Sequence, residues 1–410
     1  MSHLPSIIKK TGKSFIHKVY DNNNVYICTW SDEITNVPSF TWNINSGLGQ
    51  MTINLAKPIN NFSEGNEVAV NNRIQTYILD NDNKLGTKIF DGKVLSYEIN
   101  VDENGIQNVV INTFSHTYSL ANSLVKNGSS TTIAYSTTNI EDIIKDLLTK
   151  YAGIITYTAN SISMGAGAYT YTFKYITYLD ALDKCLELCP AYWYWYLDAS
   201  NIFWLQPIDW DTVNHTLYLG KEVNGLTAKK SIENLYNAVY FLGAESGGSN
   251  LYKLYTNSSS IDEYGQRDYQ MRDTRVSNTD TAQAMANKFL TENDYANFEL
   301  TCTVLDNSID SNKGYDIESF KPGQIVKIID PKKTIPTPTL WDIADWDVDY
   351  WDDSTATLLG NTMQIKSIKY DFFSCELTLT NKPEELSERI NNIDKNLTQL
   401  ESENIPSAPS

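Results

Sequence analysis

Histidine and arginine are both scarce in this chain of 410 residues. Four histidines (His3, His17, His116 and His215) are scattered along it, and none sits in HExxH or beside a GxSxG elbow, because both motifs are absent. No GxxxxGK[ST] loop is present to cradle a phosphate. No stretch reaches the roughly 18 apolar residues of a membrane-spanning helix. The opening, MSHLPSIIKKTGKSF, has no apolar core of signal-peptide length, so no secretory leader is expected. The five cysteines, at 28, 185, 189, 302 and 375, are odd in number and show no disulfide-scaffold spacing. This usage fits a chain made in a reducing cytoplasm. Basic charge is also short: the formal net charge is −18. Such a balance excludes gripping the outside of a nucleic acid, which needs Lys and Arg against phosphates. It leaves passage open, because an acidic wall repels phosphates and keeps a channel slippery.

Aromatic residues make up 12 %, with 26 Tyr against 13 Phe. Tyrosine at this level suits β-structure and contact surfaces, since its ring packs while its hydroxyl stays wet. Residues 1–115 read as all-β, with short strands VYICTW (25–30), FTWNI (40–44) and QMTINLA (50–56). The clearest hairpin is KVLSYEINV-DENG-IQNVVINTF (93–114), where Leu95, Tyr97, Ile99 and Val101 alternate with polar residues and Asn104-Gly105 supplies the turn. A small antiparallel barrel or sandwich is expected. Residues 116–208 read as an α+β module. The spacing predicts a helix over 137–151, capped by Thr138 and Glu141, with Ile140, Ile143, Ile144, Leu147, Leu148 and Tyr151 on one face. A second helix over 177–190 stops at Pro190, and a hairpin follows at 192–207. Residues 209–382 return to β, with one helix at 279–293 and strands at 298–306, 323–330, 363–371 and 375–381. The tail at 383–405 carries Leu386, Ile390, Ile393, Leu397 and Leu400 at spacings of 4, 3, 4 and 3. This is a heptad seam that leans toward three or more strands, ahead of a frayed end at 406–410.

Three stretches hold candidate chemistry. Cys185 and Cys189 lie four apart on one helix face without a second pair at zinc spacing, so they read as core. TLWDIADWDVDYWDD (339–353) sets Trp341, Trp346 and Trp351 among six aspartates. As a calcium loop it fails where Gly is needed, at Tyr350, and where Glu is needed, at Ala356. It reads as an insertion between strands, packing on its own chain or a neighbour, with a sugar or receptor platform as the alternative. GQRDYQMRDTR (265–275) concentrates Arg267, Arg272 and Arg275, three of five arginines. Each has an aspartate close by, which suits either a solvated strand or an inter-subunit seam. Fifty carboxylates offer no basis for choosing a glycosidase pair. The reading is therefore no enzyme and no cofactor or metal, with a cell-wall glycoside hydrolase kept as a further alternative.

The order of LYNAVYFLG, YGQRDYQMRDTRV, TAQAMANKFL, FKPGQIVKI and MQIKSIKYD, behind an N-terminal β-region and a small α+β insert, resembles the bacteriophage tail hub or tail-tip family. The likeness covers nearly all of 1–382. It implies a mainly β fold with two small antiparallel β-barrels, at 1–115 and 209–382, and the α+β insert module outside them. It also implies a homotrimeric ring that joins a sixfold tail tube to a threefold tip and encloses a channel for DNA. The implied partners are the tail tube or distal tail protein, tip or receptor-binding proteins, and the tape-measure protein and DNA in transit. The implied location is the virion tail, assembled in the host bacterial cytoplasm. Members often carry a C-terminal enzyme or receptor binder, and here those tasks would fall to other proteins.

Overall fold

The computed structural model describes residues 14–31, 33–56, 67–79, 85–101, 103, 107–151, 153–164, 168–246, 249–273, 276, 278–307, 314–329 and 362–381. The chain divides into two compact units. The larger takes in Met1–Leu186, Trp193–Lys229 and Glu299–Asn381, and the smaller Glu187–Tyr192, Lys230–Phe298 and Lys382–Ser410. The fold is mainly β. The Trp-rich stretch 339–353 and the heptad seam 386–400 lie outside the described residues.

The larger unit begins with β1 (Ser14–Tyr20), β2 (Tyr26–Trp30), β3 (Ser39–Asn43), β4 (Gly47–Leu48), β5 (Gln50–Leu55), β6 (Arg73–Leu79), β7 (Leu85–Val101) and β8 (Gln107–Ser115). Six of these form one antiparallel sheet in the order β2-β1-β6-β7-β8-β5. Burial alternates along β1, with Phe15, His17 and Val19 turned inward, as the two-residue period of a half-buried strand requires. After β2 the chain bends across to β5, where Ile34 bridges Leu55 and the Thr35 N–H donates to Asn54 O at 2.9 Å. The expected β7–β8 hairpin is present, with one change. Val94 faces Thr113 and Ser96 faces Asn112, so Leu95 is an extra residue in a bulge and lies 40 % exposed. Tyr97 and Ile99 still stand opposite the buried Ile111 and Val109.

Next come α1 (Thr117–Ala121), β9 (Thr132–Asn139), α2 (Ile140–Tyr151), β10 (Ala168–Lys174), α3 (Tyr178–Leu188), β11 (Trp193–Leu197) and β12 (Phe203–Pro207). The expected capping box of α2 does not form. β9 runs up to Asn139, and the Thr138 hydroxyl donates instead to Ser136 O. Glu141 accepts the Met164 N–H at 2.9 Å. The apolar face does form, with Ile140, Ile143, Ile144, Leu147 and Leu148 buried. The β11–β12 hairpin turns through Asn201 at φ 62°, while Asp198 Oδ1 accepts the Ser200 and Ile202 N–H groups at 2.8 and 3.0 Å.

The remaining elements are β13 (His215–Tyr218), β14 (Val223–Ser231), β15 (Ala238–Ser246), β16 (Ser249–Thr256), α4 (Ser258–Tyr264), β17 (Asp268–Arg272), α5 (Thr279–Asn293), β18 (Asn297–Leu305), β19 (Ile325–Ile329), β20 (Met363–Asp371) and β21 (Ser374–Thr380). A second sheet runs β13-β19-β20-β21-β18-β14. N-terminal β3 joins it, because β20 changes partner part-way along. Its Met363 and Gln364 pair with β19, while Ser367–Asp371 pair with β3. Phe40 and Tyr370 stand opposite each other there, their rings stacked at 5.0 Å and 22°.

The smaller unit is built on a three-stranded sheet, β16-β15-β17, in which β15 runs antiparallel to β16 and parallel to β17. Helix α5 has the predicted bounds and is capped by Asn278, whose Oδ1 accepts the Asp280 N–H at 2.8 Å.

Candidate functional site

Among the described residues, His17, His116, His215 and Asp91 are all buried and engaged. His17 is 1 % exposed, its Nδ1 lies 2.8 Å from Thr76 Oγ1, and burial pushes its pKa down to about 3. His215 donates Nε2–H to Gln324 Oε1 at 2.8 Å, which leaves Nδ1 to accept from the Tyr315 hydroxyl at 3.0 Å. Burial lowers its pKa as well. Asp91 is fully buried and accepts from Arg73 Nε and Nη2 at 2.8 and 2.7 Å, Gln75 Nε2 at 2.9 Å, Lys88 Nζ at 2.9 Å and His116 Nε2 at 3.2 Å. Burial opposes its charge. The hydrogen bonds from Arg73 and His116 and the nearby Lys88 and Arg73 charges outweigh that and hold the carboxyl well below the usual range. A carboxylate saturated with donors is a cross-link between β6, β7 and the segment after β8. It is not a base.

Cys185 and Cys189 are buried, and burial raises the Cys189 thiol to about 11, which keeps it protonated. Among the described residues no group of three or more His, Cys, Asp and Glu could hold a metal ion.

In the smaller unit, LYNAVYFLG and YGQRDYQMRD are joined by the β15–β17 ladder and by one side chain at its start. Asn237, at the head of β15, is fully buried. Its Oδ1 accepts the Arg267 N–H at 2.7 Å, and its Nδ2 donates to Gly265 O at 2.8 Å and Ser260 Oγ at 3.2 Å. Gly265 closes α4 at φ 75°, a conformation that favours glycine. One asparagine therefore ties the LYNAVYFLG strand to the YGQRD turn. Arg267 donates Nη1–H to Ile232 O at 2.8 Å, a bond within its own unit.

Past that turn, β17 alternates exposed Asp268, Gln270 and Arg272 with buried Tyr269 and Met271. Tyr269 stacks on Phe289 of α5 at 4.3 Å and 18°. The Ala238 N–H donates to Arg267 O and the Asp273 N–H to Leu242 O, so the odd-numbered residues of β17 turn their backbone groups to β15. The N–H and C=O groups of Asp268, Gln270 and Arg272 point the other way, and β17 has no strand neighbour there among the described residues. The face opposite α5 carries Tyr240, Leu242, Tyr252 and Leu254, of which Tyr252 is 55 % and Leu254 48 % exposed. Of the residues expected at subunit contacts, Arg272 thus ends the edge strand β17 and Arg267 lies just before it. Arg275, Trp341, Trp346 and Trp351 lie outside the described residues, as do Leu386, Ile390, Ile393, Leu397 and Leu400.

FKPGQIVKI resolves into a turn and a strand. Pro322 and Gly323 occupy the middle of the Lys321–Gln324 turn, with Gly323 at φ 85° as a type II turn demands. A Cβ on Gly323 would meet the Tyr194 ring at 1.9 Å. Both the φ angle and the overlying ring require glycine.

Three solved structures share this architecture from end to end. The prophage tail protein gp18 of Listeria monocytogenes EGD-e aligns with a TM-score of 0.56 at 13 % identity, over 94 % of this chain and 99 % of that one. The tail protein of Neisseria meningitidis MC58 aligns at 0.57 and 14 %, over 90 % and 97 %. The 43 kDa tail protein of prophage MuSo2 from Shewanella oneidensis aligns at 0.57 and 11 %, over 90 % and 98 %. The fold is that of a phage tail protein. Residues 211–339 also match the family model described as prophage endopeptidase tail. That segment spans the described part of the smaller unit from β15 to α5 and the KPGQ turn of the tail-protein fold. No curated protein matches the chain.

Proposed function

We propose that this chain is a structural tail hub or tail-tip protein. Three copies form a ring that joins the sixfold tail tube to the threefold tip and encloses the passage for DNA. The observation that carries this reading is the end-to-end correspondence with prophage tail proteins, over 94 % of this chain and 99 % of the Listeria protein. The two large sheets, the first antiparallel and the second mixed through its parallel β13–β19 pair, would supply the material for two small barrels per copy. The net charge of −18 suits a lumen through which DNA slides, and the 386–400 seam would bundle three tails. The tail tube or distal tail protein would sit on one side, and tip or receptor-binding proteins on the other. The tape-measure protein and DNA would pass through. The setting is the virion tail, assembled in the host cytoplasm.

We read the chain as having no enzymatic role, despite the word endopeptidase in the family description. The one histidine of the matched segment, His215, has both ring nitrogens engaged, which leaves no Ser–His or Cys–His pair to activate a nucleophile there. Light scattering on a sizing column at low protein concentration tests the ring. A mass near three times 46.4 kDa, with ring-shaped particles in negative stain, is expected. A chain that stays at 46.4 kDa and gives no rings even with its purified tube partner would overturn it.

A further inference from the structure

The outer edge of β17 is complementary to itself. Its outward backbone groups belong to Asp268, Gln270 and Arg272, and the same three side chains are exposed. β17 pairs with β15 through five consecutive residues without a bulge, and it contains neither proline nor lysine. A bulge, proline and lysine are among the devices that keep an edge strand from pairing, and the two charges β17 does carry, on Asp268 and Arg272, are of opposite sign. Read antiparallel about Gln270, Asp268 falls opposite Arg272, Gln270 opposite Gln270, and Arg272 opposite Asp268. All three are positions whose N–H and C=O point outward, so each pair would exchange both backbone bonds. Centring on Tyr269 or Met271 sets Asp268 or Arg272 opposite Gln270 and loses the ion pairs, centring on Asp268 sets two carboxylates face to face, and centring on Arg272 sets two guanidinium groups together.

We propose that this edge pairs with the same edge of a second copy of the chain, antiparallel and centred on Gln270. The contact is isologous, so it joins copies in twos and does not depend on the ring. It extends the three-stranded sheet to six strands and puts Tyr240, Leu242, Tyr252 and Leu254 of both copies on one face, flanking the central polar pair of β17 strands. It also gives Arg272 a carboxylate partner.

The test uses the full chain in a concentration series followed by light scattering. The expected result is a doubling of mass as concentration rises. Gln270→Cys under mild oxidation should give a covalent two-chain band. Four of the five native cysteines are buried and Cys28 is half-exposed, so the variant is made in a Cys28→Ser background, which by itself should give no such band. Arg272→Asp should abolish the doubling. Exchange of both charges, Asp268→Arg with Arg272→Asp, should restore it, because the pairing is again complementary. That rescue also shows that the single variant had not merely misfolded. Doubling that survives Arg272→Asp, a swap that fails to rescue, or a mass that never doubles would each overturn the proposal. The ring is judged separately. Three chains becoming six supports both readings, one becoming two supports the pairing without the ring, and three staying three supports the ring alone.

Discussion

Asp91 cross-links the first sheet from its buried interior. Its four donors come from β6, β7 and the residue after β8, and two of them carry fixed charge. Asp91→Asn keeps the shape but leaves Arg73 and Lys88, each less than one-fifth exposed, without a counter-charge. The expected loss is about 3–5 kcal/mol in a urea titration at neutral pH. The pH dependence runs through a different group. The folded pKa of Asp91 is depressed, so its contribution is present above the unfolded carboxylate value and is lost only in strong acid. His17 has a folded pKa of about 3 against 6.5 for the free side chain. The unfolded chain therefore binds the extra proton between those values, and stability falls as pH drops through that window, by up to about 1.4 kcal/mol per pH unit. Urea midpoints measured from pH 7 to pH 4 should decline, and His17→Gln should flatten the decline. Gly323→Ala combines a left-handed φ with a clash against Tyr194, and about 2–4 kcal/mol of destabilisation is expected. Tyr194→Ala made in the same chain should recover part of it, since the two costs share one contact.

Elements with a strong local pattern are legible in the amino-acid sequence itself. Helix α5 and strand β20 have the predicted bounds, and β11–β12 follows from the Asp198–Asn201 turn. These are decided by periodicity and turn chemistry within a dozen residues. Three features are not legible in that way, and each depends on distant chain. β3 pairs with β20 across more than 300 residues, and nothing in SFTWN distinguishes that partner from β2 or β5. The bulge at Leu95 breaks an alternation that the sequence continues without interruption. Asn237 reads as an ordinary loop-to-strand residue until Gly265 and Arg267 are seen beside it. Asn237→Ala removes three hydrogen bonds from a fully buried position and leaves the Arg267 N–H and Gly265 C=O unsatisfied. Hydrogen exchange should show α4 and β17 amides losing protection at least tenfold, with β6–β8 amides unchanged. Equal loss in both regions would mean that the two units do not open separately.

For the whole molecule the question is what brings copies together. Tail-protein folds recur here at 11–14 % identity, so the architecture tolerates nearly complete replacement of sequence. A contact that must be specific then has to be written in a few residues. On the proposed reading, the seam of Leu386, Ile390, Ile393, Leu397 and Leu400 would be one such place. Two heptads form only a marginal helix in water, so the seam would add to the proposed ring and would not create one alone. Changing Ile393→Asp and Leu397→Asp places a charge at one d and one a position, where three chains would have to desolvate three carboxylates per layer. The expected result is a trimer that dissociates at higher protein concentration than the parent, by at least tenfold, with an unchanged β-type circular dichroism spectrum and melting temperature. If the spectrum instead collapses, the segment is part of the folded core and the tail is no separate bundle. If dissociation does not move, the ring is held by its sheets, and the seam has some other partner in the tail.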